Sequence, residues 1–412
     1  MAHMDVESGP LAPVSDSELL APERQTQRRW MAVGRSELSD SHEAGADAAR
    51  QAIQGPNPKL LLAFVAITHD IPAVVAGINA VGGGVPVIGC STHGEISPGG
   101  PHDGSVVVMG IGGDGFSVAA TAVERVTGHQ REAGAAAAAT SLDTAPLPHK
   151  VLLVLTDGFI RDQEEILRGA YGVVGASVPL FGGASADGWR MQRTFQIYND
   201  KVLTDAVVAA TIASEAPLAV AVRHGWRKVG EPMVVTQAGN GRVYTLDDEP
   251  AMDVYLRRLN APEEAYHDAD QFSRFALARP VGVERRSGHV VRNLSTEVDI
   301  AGRSLGGGGD IPQGALTWIM EGDEQAILDA AHAACTDAVE ALGGEPPVGM
   351  LTFSCAALRA VLGDDGIQRE GGRLSAASGG VPFAGFYTYG EIARTHGIDG
   401  FHNQTIVVLA LA

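Results

Sequence analysis

A chain of 412 residues with 45% hydrophobic content is long enough for more than one packed domain. Its net charge of −19 argues against nucleic acid and against anionic membrane surfaces as partners. No run of about 18 apolar residues occurs, which argues against a transmembrane helix, and Cys90, Cys335 and Cys355 have neither zinc-ligand nor disulfide spacing, which suits a reducing cytoplasm.

The opening Met-Ala-His-Met resembles a cloning remnant, and the start has no basic and no apolar region of a signal peptide. Residues 1–28, rich in Pro, Ser and acid, read as a disordered tail. Arg29 to Val33 is a short strand candidate. Ser39-Asp40 offers an N-cap for a helix from Ser41 to about Gln54. Leu60–Ile67 is a short apolar run of the buried-strand type, and Ile71–Val81 is the helix after it, with Pro72 tolerated in the first turn. Val106–Ile111 and Phe116–Val123 read as a hairpin around Gly112–Gly115. Residues 131–141 are Ala-rich and helical by propensity. Val151–Leu155 is a second buried run, followed by a helix near Arg161–Tyr171 and a hairpin over Thr194–Ile212 turning at Asn199-Asp200. An amphipathic helix starts at Ala251 after an acidic turn, and the domain division is placed there: 29–250 and 251–412. Gly306–Gly309 lacks the Gly-Lys-Ser/Thr ending of a phosphate loop and reads as a mobile loop. A helix runs from Gly322-Asp323 to about Leu342, with Cys335 in its core, and Met350–Phe353 is the third buried run.

One motif recurs along this series. Pro86–Ile96 (PVIGCSTHGEI) and Pro382–Ile392 (PFAGFYTYGEI) share Pro-x-x-Gly-x-x-Thr-x-Gly-Glu-Ile, 296 positions apart. A weaker copy, Pro179–Asp187 (PLFGGASAD), keeps the Pro, the Gly and a hydroxyl. An apolar run precedes each copy by a helix-sized interval, and another follows it. The fold class is therefore α/β, mixed α+β: two domains built from duplicated strand-helix-strand units with mixed sheets. The motif turn falls at a strand end, where α/β proteins bind ligands.

These motifs, with FSCAALRAVLG (Phe353–Gly363) and FHNQTIVVLAL (Phe401–Leu411), resemble the FIST proteins, which carry an N-terminal and a C-terminal FIST domain. The family often has an Arg three residues after the Cys of the Phe-Ser-Cys segment; here Leu358 stands there and Arg359 follows. The resemblance implies a cytoplasmic sensory module for a small ligand, often suggested to be an amino acid, working beside a histidine kinase or a cyclic-diguanylate enzyme. It also implies a haem-bound nitric oxide sensor as an alternative. The chain carries no output segment of recognisable type, so a partner protein is expected. A homodimer is a further expectation, and the Ala- and Gly-rich, Lys-poor composition suits a high-GC bacterial source.

The residues name a pocket. Tyr387 and Tyr389 alternate, so on a strand both would face one way, with Glu391 supplying charge and His402 and Asn403 opposite. Thr92 and Glu95 hold the equivalent places in the first copy. Either glutamate can instead close its own turn. Cys355 with His402 and Asn403 forms the pattern of a nucleophile, a base and an orienting group, the basis of a rival reading as an enzyme on a small polar substrate, with Cys90 and His93 a second pair. A non-covalent haem b would take His93, His402, His69 or His332 as its axial ligand.

Overall fold

The computed structural model describes residues 28–285, 288–395 and 400–412, so the expected tail lies, up to residue 27, outside the described residues. The first unit runs β1 (Trp30–Ser36), α1 (Ser41–Ala52), β2 (Pro58–Ala66), α2 (Ile71–Gly82), β3 (Val87–Thr92), β4 (Glu95–Ser97), β5 (Gly100–His102) and β6 (Val106–Gly112). The second runs β7 (Phe116–Glu124), α3 (Gln130–Ala138), β8 (His149–Thr156), α4 (Gln163–Val174), β9 (Leu180–Ala184), β10 (Gln196–Tyr198), β11 (Lys201–Leu203) and β12 (Ala206–Ser214). The third opens with β13 (Leu218–Arg223). A module then intervenes, comprising β14 (Arg227–Gly239), β15 (Arg242–Leu246), β16 (Glu249–Pro250), α5 (Ala251–Arg258), α6 (Ala269–Ala276), β17 (Val281–Arg285), β18 (Gly288–Arg292), β19 (Glu297–Asp299), β20 (Ser304–Gly306) and β21 (Leu316–Glu321). The third unit resumes with α7 (Glu324–Glu340), β22 (Gly349–Cys355), α8 (Ala356–Ala377), β23 (Phe383–Thr388), β24 (Glu391–Arg394), β25 (Phe401–His402) and β26 (Ile406–Leu411).

The three units are copies. Their strand orders are β1-β6-β2-β3, β7-β12-β8-β9 and β13-β26-β22-β23. In each the last two strands of the order are parallel, which requires a crossover, and α2, α4 and α8 supply it. The caps come from local sequence: the Asp40, Asp70 and Asp323 side chains accept from Glu43, Ala73 and Ala326 N–H groups at the starts of α1, α2 and α7. The motif glycine has the same task three times. A Cβ on Gly89, Gly182 or Gly385 would sit 2.1, 1.8 or 1.6 Å from a carbonyl oxygen of the neighbouring strand (Ala63, Val154 or Thr352). Only glycine permits that approach.

Each unit also gives away a hairpin. β4-β5 extends the sheet of the third unit, β10-β11 that of the first, and β24-β25 that of the second, closing a ring. Alternate residues of β2, β8 and β22 point to a core shared by all three sheets, where Phe64, Phe181, Phe353 and Phe386 meet with ring centroids 4.6–5.5 Å apart. Burying each such side chain stabilises by about 1.5–3 kcal/mol, with aromatic contact adding to it. The other residues of these strands pack under the helices. The module between β13 and α7 has a core of its own.

The hairpin expected from 106–111 and 116–123 does not form. Both edges of β6 are taken, by β1 and β2, so β7 begins the next sheet against β12. The turn at Asn199-Asp200 does join β10 to β11, but β12 leaves for the sheet of the second unit. The position 250/251 lies inside the module, whose strands and helices pack together from both sides of it. No described helix is long and apolar enough to cross a membrane.

Candidate functional site

Thr92 ends β3 and Glu95 begins β4; Thr388 ends β23 and Glu391 begins β24. Both glutamates are fully buried. Glu95 accepts from Thr92 Oγ1, from Ser105 N at 3.0 Å and from Ser105 Oγ at 2.7 Å. Glu391 accepts from Thr405 N at 3.0 Å and from Thr405 Oγ1 at 2.8 Å. Each therefore ties the start of a hairpin to the residue before the unit's last strand. Burial pushes their carboxyls up, to about 7 for Glu95 and about 8 for Glu391.

The weaker copy has its counterpart further on. Gln196 pairs with Cys90 on β3 as Glu391 pairs with Gly183 on β9, and its Nε2 donates to Ser185 Oγ at 2.8 Å. Gln196-Ile197 is thus the third Glu-Ile, displaced by an insertion of eight residues. The signal in the sequence is the Gln-Ile-Tyr run itself, read against Glu-Ile-Ser and Glu-Ile-Ala.

The three motif turns meet through main-chain bonds. Ala186 N donates to Ser91 O (2.9 Å), His93 N to Tyr387 O (3.0 Å) and Tyr389 N to Ala184 O (3.2 Å). The insertion of the second unit covers this junction. Asp187 collects N–H groups of Met191, Gln192 and Arg193 at 2.7–3.1 Å and the Tyr389 hydroxyl at 2.6 Å. Burial pushes the Asp187 carboxyl up, yet the hydrogen bonds, led by that of Tyr389, hold it below its ordinary value. Trp189 stacks on Tyr389 with centroids 5.3 Å apart and meets the His93 ring edge-on at 4.9 Å. Burial, then the Arg359 charge, lowers His93 to about 4, so its ring is neutral at physiological pH.

Beside this junction lies a cavity of about 600 Å³, enclosed by the second unit, the third unit and the module. Its floor is the start of α8, Cys355 to Ala357, with Thr388 and Tyr389. Phe159, Trp189 and Met191 form its rim, and all three are exposed. On the module side stand Asn293 and the loop Gly307–Gly309, which packs on Asn403; a Cβ on Gly308 would lie 2.2 Å from Asn403 Oδ1. Asn403 is only 3% exposed and Oδ1 has no hydrogen-bond partner. Gln163, also on the wall, has a buried unpartnered Oε1, while its Nε2 holds the carbonyls of Asp157 and Ile160.

Of the residues named from sequence, Tyr389, Asn403 and Cys355 line the cavity. Tyr387 does not. β23 ends at Thr388, so Tyr389 falls in the turn and the two rings part. The Tyr387 hydroxyl donates to Glu370 at 2.6 Å beneath the site, and Glu370 also accepts from Ser354 Oγ at 2.9 Å. Thr92, Glu95 and Glu391 lie within the fold, outside the lining. His402 Nε2 lies 2.9 Å from Ala393 O. Burial, then the neighbouring Glu391, pushes the Cys355 thiol well up, so it stays protonated; N–H groups of Gln404 and Ala357 point at its sulfur. Arg359 pairs with Asp103 at 2.7 and 2.9 Å and donates to His93 O, joining α8 to the first unit rather than entering the cavity. Trp189, Phe159 and Gln163 were not legible as site residues, because nothing local marks them.

The lining carries no histidine among the described residues, so it does not fit a haem held by an axial histidine. His93 faces Trp189 and Tyr389, His69 lies 3.1 Å from Ser41 Oγ and from Gly104 O, and His332 is exposed on α7. No group of three or more His, Cys, Asp or Glu among the described residues is arranged to hold a metal ion.

Residues 59–249 match the FIST N domain and residues 251–394 the FIST C domain. An uncharacterized protein of Mycobacterium tuberculosis (strain ATCC 25618 / H37Rv) is 24% identical over 394 residues, 90% of this chain and 97% of that one. An uncharacterized protein of Methanocaldococcus jannaschii is 31% identical over 84 residues, 20% of this chain and 16% of that one. Among solved structures, a cyanuric acid hydrolase from A. caulinodans matches with a TM-score of 0.28 and 10% identity, over 46% of this chain and 72% of that one.

Proposed function

The chain belongs to the FIST family, and from that premise we propose that it is a cytoplasmic sensory protein that binds a small ligand in the 600 Å³ cavity and passes its state to a partner protein. FIST domains are associated with small-ligand sensing in signalling. The observation that carries the reading is the buried, unpartnered Asn403 Oδ1 on the cavity wall. An unsatisfied buried acceptor costs about 1–3 kcal/mol, and a ligand donor relieves that cost.

The geometry supports this reading. The cavity's walls belong to three bodies, and ion pairs cross between two of them: Glu164 of α4 with Arg292 of the module at 3.2 Å, and Arg161 with Glu297 at 3.1 Å. A ligand that touches all three favours whichever arrangement lets it do so, by its differential affinity. The family resemblance points to an amino acid as ligand, to a histidine kinase or cyclic-diguanylate enzyme as partner, and to a homodimer as the assembled form.

The test is a thermal-shift screen of amino acids, amines and small acids, followed by calorimetric titration of the wild type and Asn403→Leu. A stabilising ligand whose affinity falls at least tenfold in the variant is the expected result. A screen in which nothing stabilises the protein overturns the reading. A second reading, an enzyme using Cys355, has one observation in its favour: the thiol lines the cavity floor. Its protonated state weighs against nucleophilic attack. Turnover of any screened compound that disappears in Cys355→Ser would favour it.

A further inference from the structure

We propose that the cavity's ligand is a cationic amine with a flat apolar body, bound by its donor head and its ring and without a carboxylate grip. The proposal rests on the cavity reading above and narrows it to a ligand class.

Three independent features converge. First, the two buried polar atoms left unpartnered on the wall, Asn403 Oδ1 and Gln163 Oε1, are both acceptors, so the group they are built to meet donates hydrogen bonds. Second, the charges are unequal. Among the described residues lining the cavity, Asp162, Glu164, Glu297 and Asp310 are acidic and Arg161 alone is basic. Arg161 is committed to Glu297, and Arg292, just behind the wall, is committed to Glu164 and to Phe401 O at 3.0 Å. A ligand carboxylate would have to break one of these pairs, whereas an ammonium group meets carboxylates already in place.

Third, the rim is aromatic. Trp189, stacked on Tyr389, and Phe159, edge-on to Tyr389 at 6.0 Å, offer ring faces and edges to a flat ligand, and such faces attract cations. Trp189 and Met191 are held there with φ of 61° and 51°, a costly conformation for non-glycine residues: the Trp189 N–H donates to the Tyr389 hydroxyl at 2.9 Å and the Met191 N–H to the Asp187 carboxylate at 3.1 Å. Two helix starts on the wall would draw an anion: at α8 the Ala357 N–H is directed at the Cys355 sulfur, and at α4 the first turn already carries the carboxylates of Glu164 and Glu165 behind Asp162.

The experiment uses matched pairs: tryptamine against indole-3-propionate, and phenethylamine against 3-phenylpropionate, with L-tryptophan as the zwitterion. Calorimetry is run at pH 7 on the full chain and on Asn403→Leu, Asp310→Asn and Trp189→Phe. Asp310 is exposed, so its variant keeps the fold while lowering the charge. The expected result is that an amine binds at least 30-fold tighter than its acid partner. Its affinity should fall at least tenfold in Asn403→Leu and about threefold in Asp310→Asn, and Trp189→Phe should lose the fluorescence change on binding. Tighter binding of an acid or of tryptophan, abolished in Asn403→Leu, would overturn the amine class and leave the cavity reading standing. Amine binding that is indifferent to both Asn403→Leu and Asp310→Asn would overturn the placement of the amine in this cavity. Failure of these probes and of the whole thermal-shift screen would overturn the cavity reading together with the inference.

Discussion

The turns Thr92–Glu95 and Thr388–Glu391 are built alike: a strand end, a buried glutamate, and a hydroxyl residue before the unit's last strand that donates to it twice. Their surroundings differ. The first turn is closed over by Arg359 and Asp103, whereas the third borders the cavity. Three things make the difference: the module between β13 and α7, the insertion that carries Trp189, and Asn403 before β26. The module and the insertion occur once, and Asn403 stands where the first unit has Asp103, which is paired with Arg359. The comparison teaches that what recurs here holds the fold, and what occurs once makes the site.

The largest effect should come from the recurrent part. Gly385→Ala places a Cβ 1.6 Å from Thr352 O, and the parallel pair β22/β23 cannot part without opening the shared core. A loss of more than about 3 kcal/mol, or failure to fold, is expected by urea denaturation. Gly89→Ala should behave in the same way, with its Cβ 2.1 Å from Ala63 O. A tolerated substitution at either place would break the equivalence of the units.

The glutamates give the next effect, through pH. Each has a folded pKa raised above the ordinary 4.5, to about 7 for Glu95 and about 8 for Glu391, so the folded state holds the proton more tightly than the unfolded one. Their contribution to stability is therefore greatest below about pH 4.5 and is lost as pH rises to about 7 and about 8. Each tenfold difference in proton affinity between the folded and unfolded states is worth roughly 1.4 kcal/mol. Glu95→Gln and Glu391→Gln should each flatten the fall in stability across its window, measured by denaturation from pH 4.5 to 9. Neither should change ligand affinity, since neither side chain lines the cavity. A tenfold affinity loss in Glu391→Gln alone would show that the third turn serves the site directly.

Asn403→Leu sharpens the comparison from the other side. Removing an unpartnered buried oxygen should leave stability unchanged or raise it by about 1 kcal/mol, while ligand affinity falls at least tenfold, about 1.4 kcal/mol. Thermal melts with and without ligand check both halves. A variant that loses stability without ligand would make Asn403 part of the fold.

These contrasts also explain what could be read in advance. The repeats, the buried runs and most helix caps are local, so Asp40 and Asp323 marked their helices correctly. The motif turns at strand ends were legible as well. Which strands pair was not, because β6 and β7 look alike as apolar runs and their partners lie far away in sequence. The exchange of hairpins between units leaves no local trace, and the insertion of eight residues hid Gln196. Tyr389 and Asn403, which line the cavity, are legible because they flank the repeats. Trp189, Phe159 and Gln163 join them only through tertiary packing.

The smallest effect should come from the insertion. Met191 has φ of 51° and a side chain 48% exposed. A non-glycine residue in the left-handed region costs on the order of 1 kcal/mol, which glycine would recover. Glycine in turn adds roughly 0.5–1 kcal/mol of entropy to the unfolded chain. The two nearly cancel, and so exposed a side chain removes little burial, so Met191→Gly should shift stability by less than about 0.5 kcal/mol. The insertion is nevertheless pinned at its base, where Asp187 takes the N–H groups of residues 191–193, so the loop should keep its path. Ligand affinity should then fall only by the lost contact at the rim, about threefold. A large loss of stability would mean that the insertion, although it occurs in one unit alone, belongs to the framework after all.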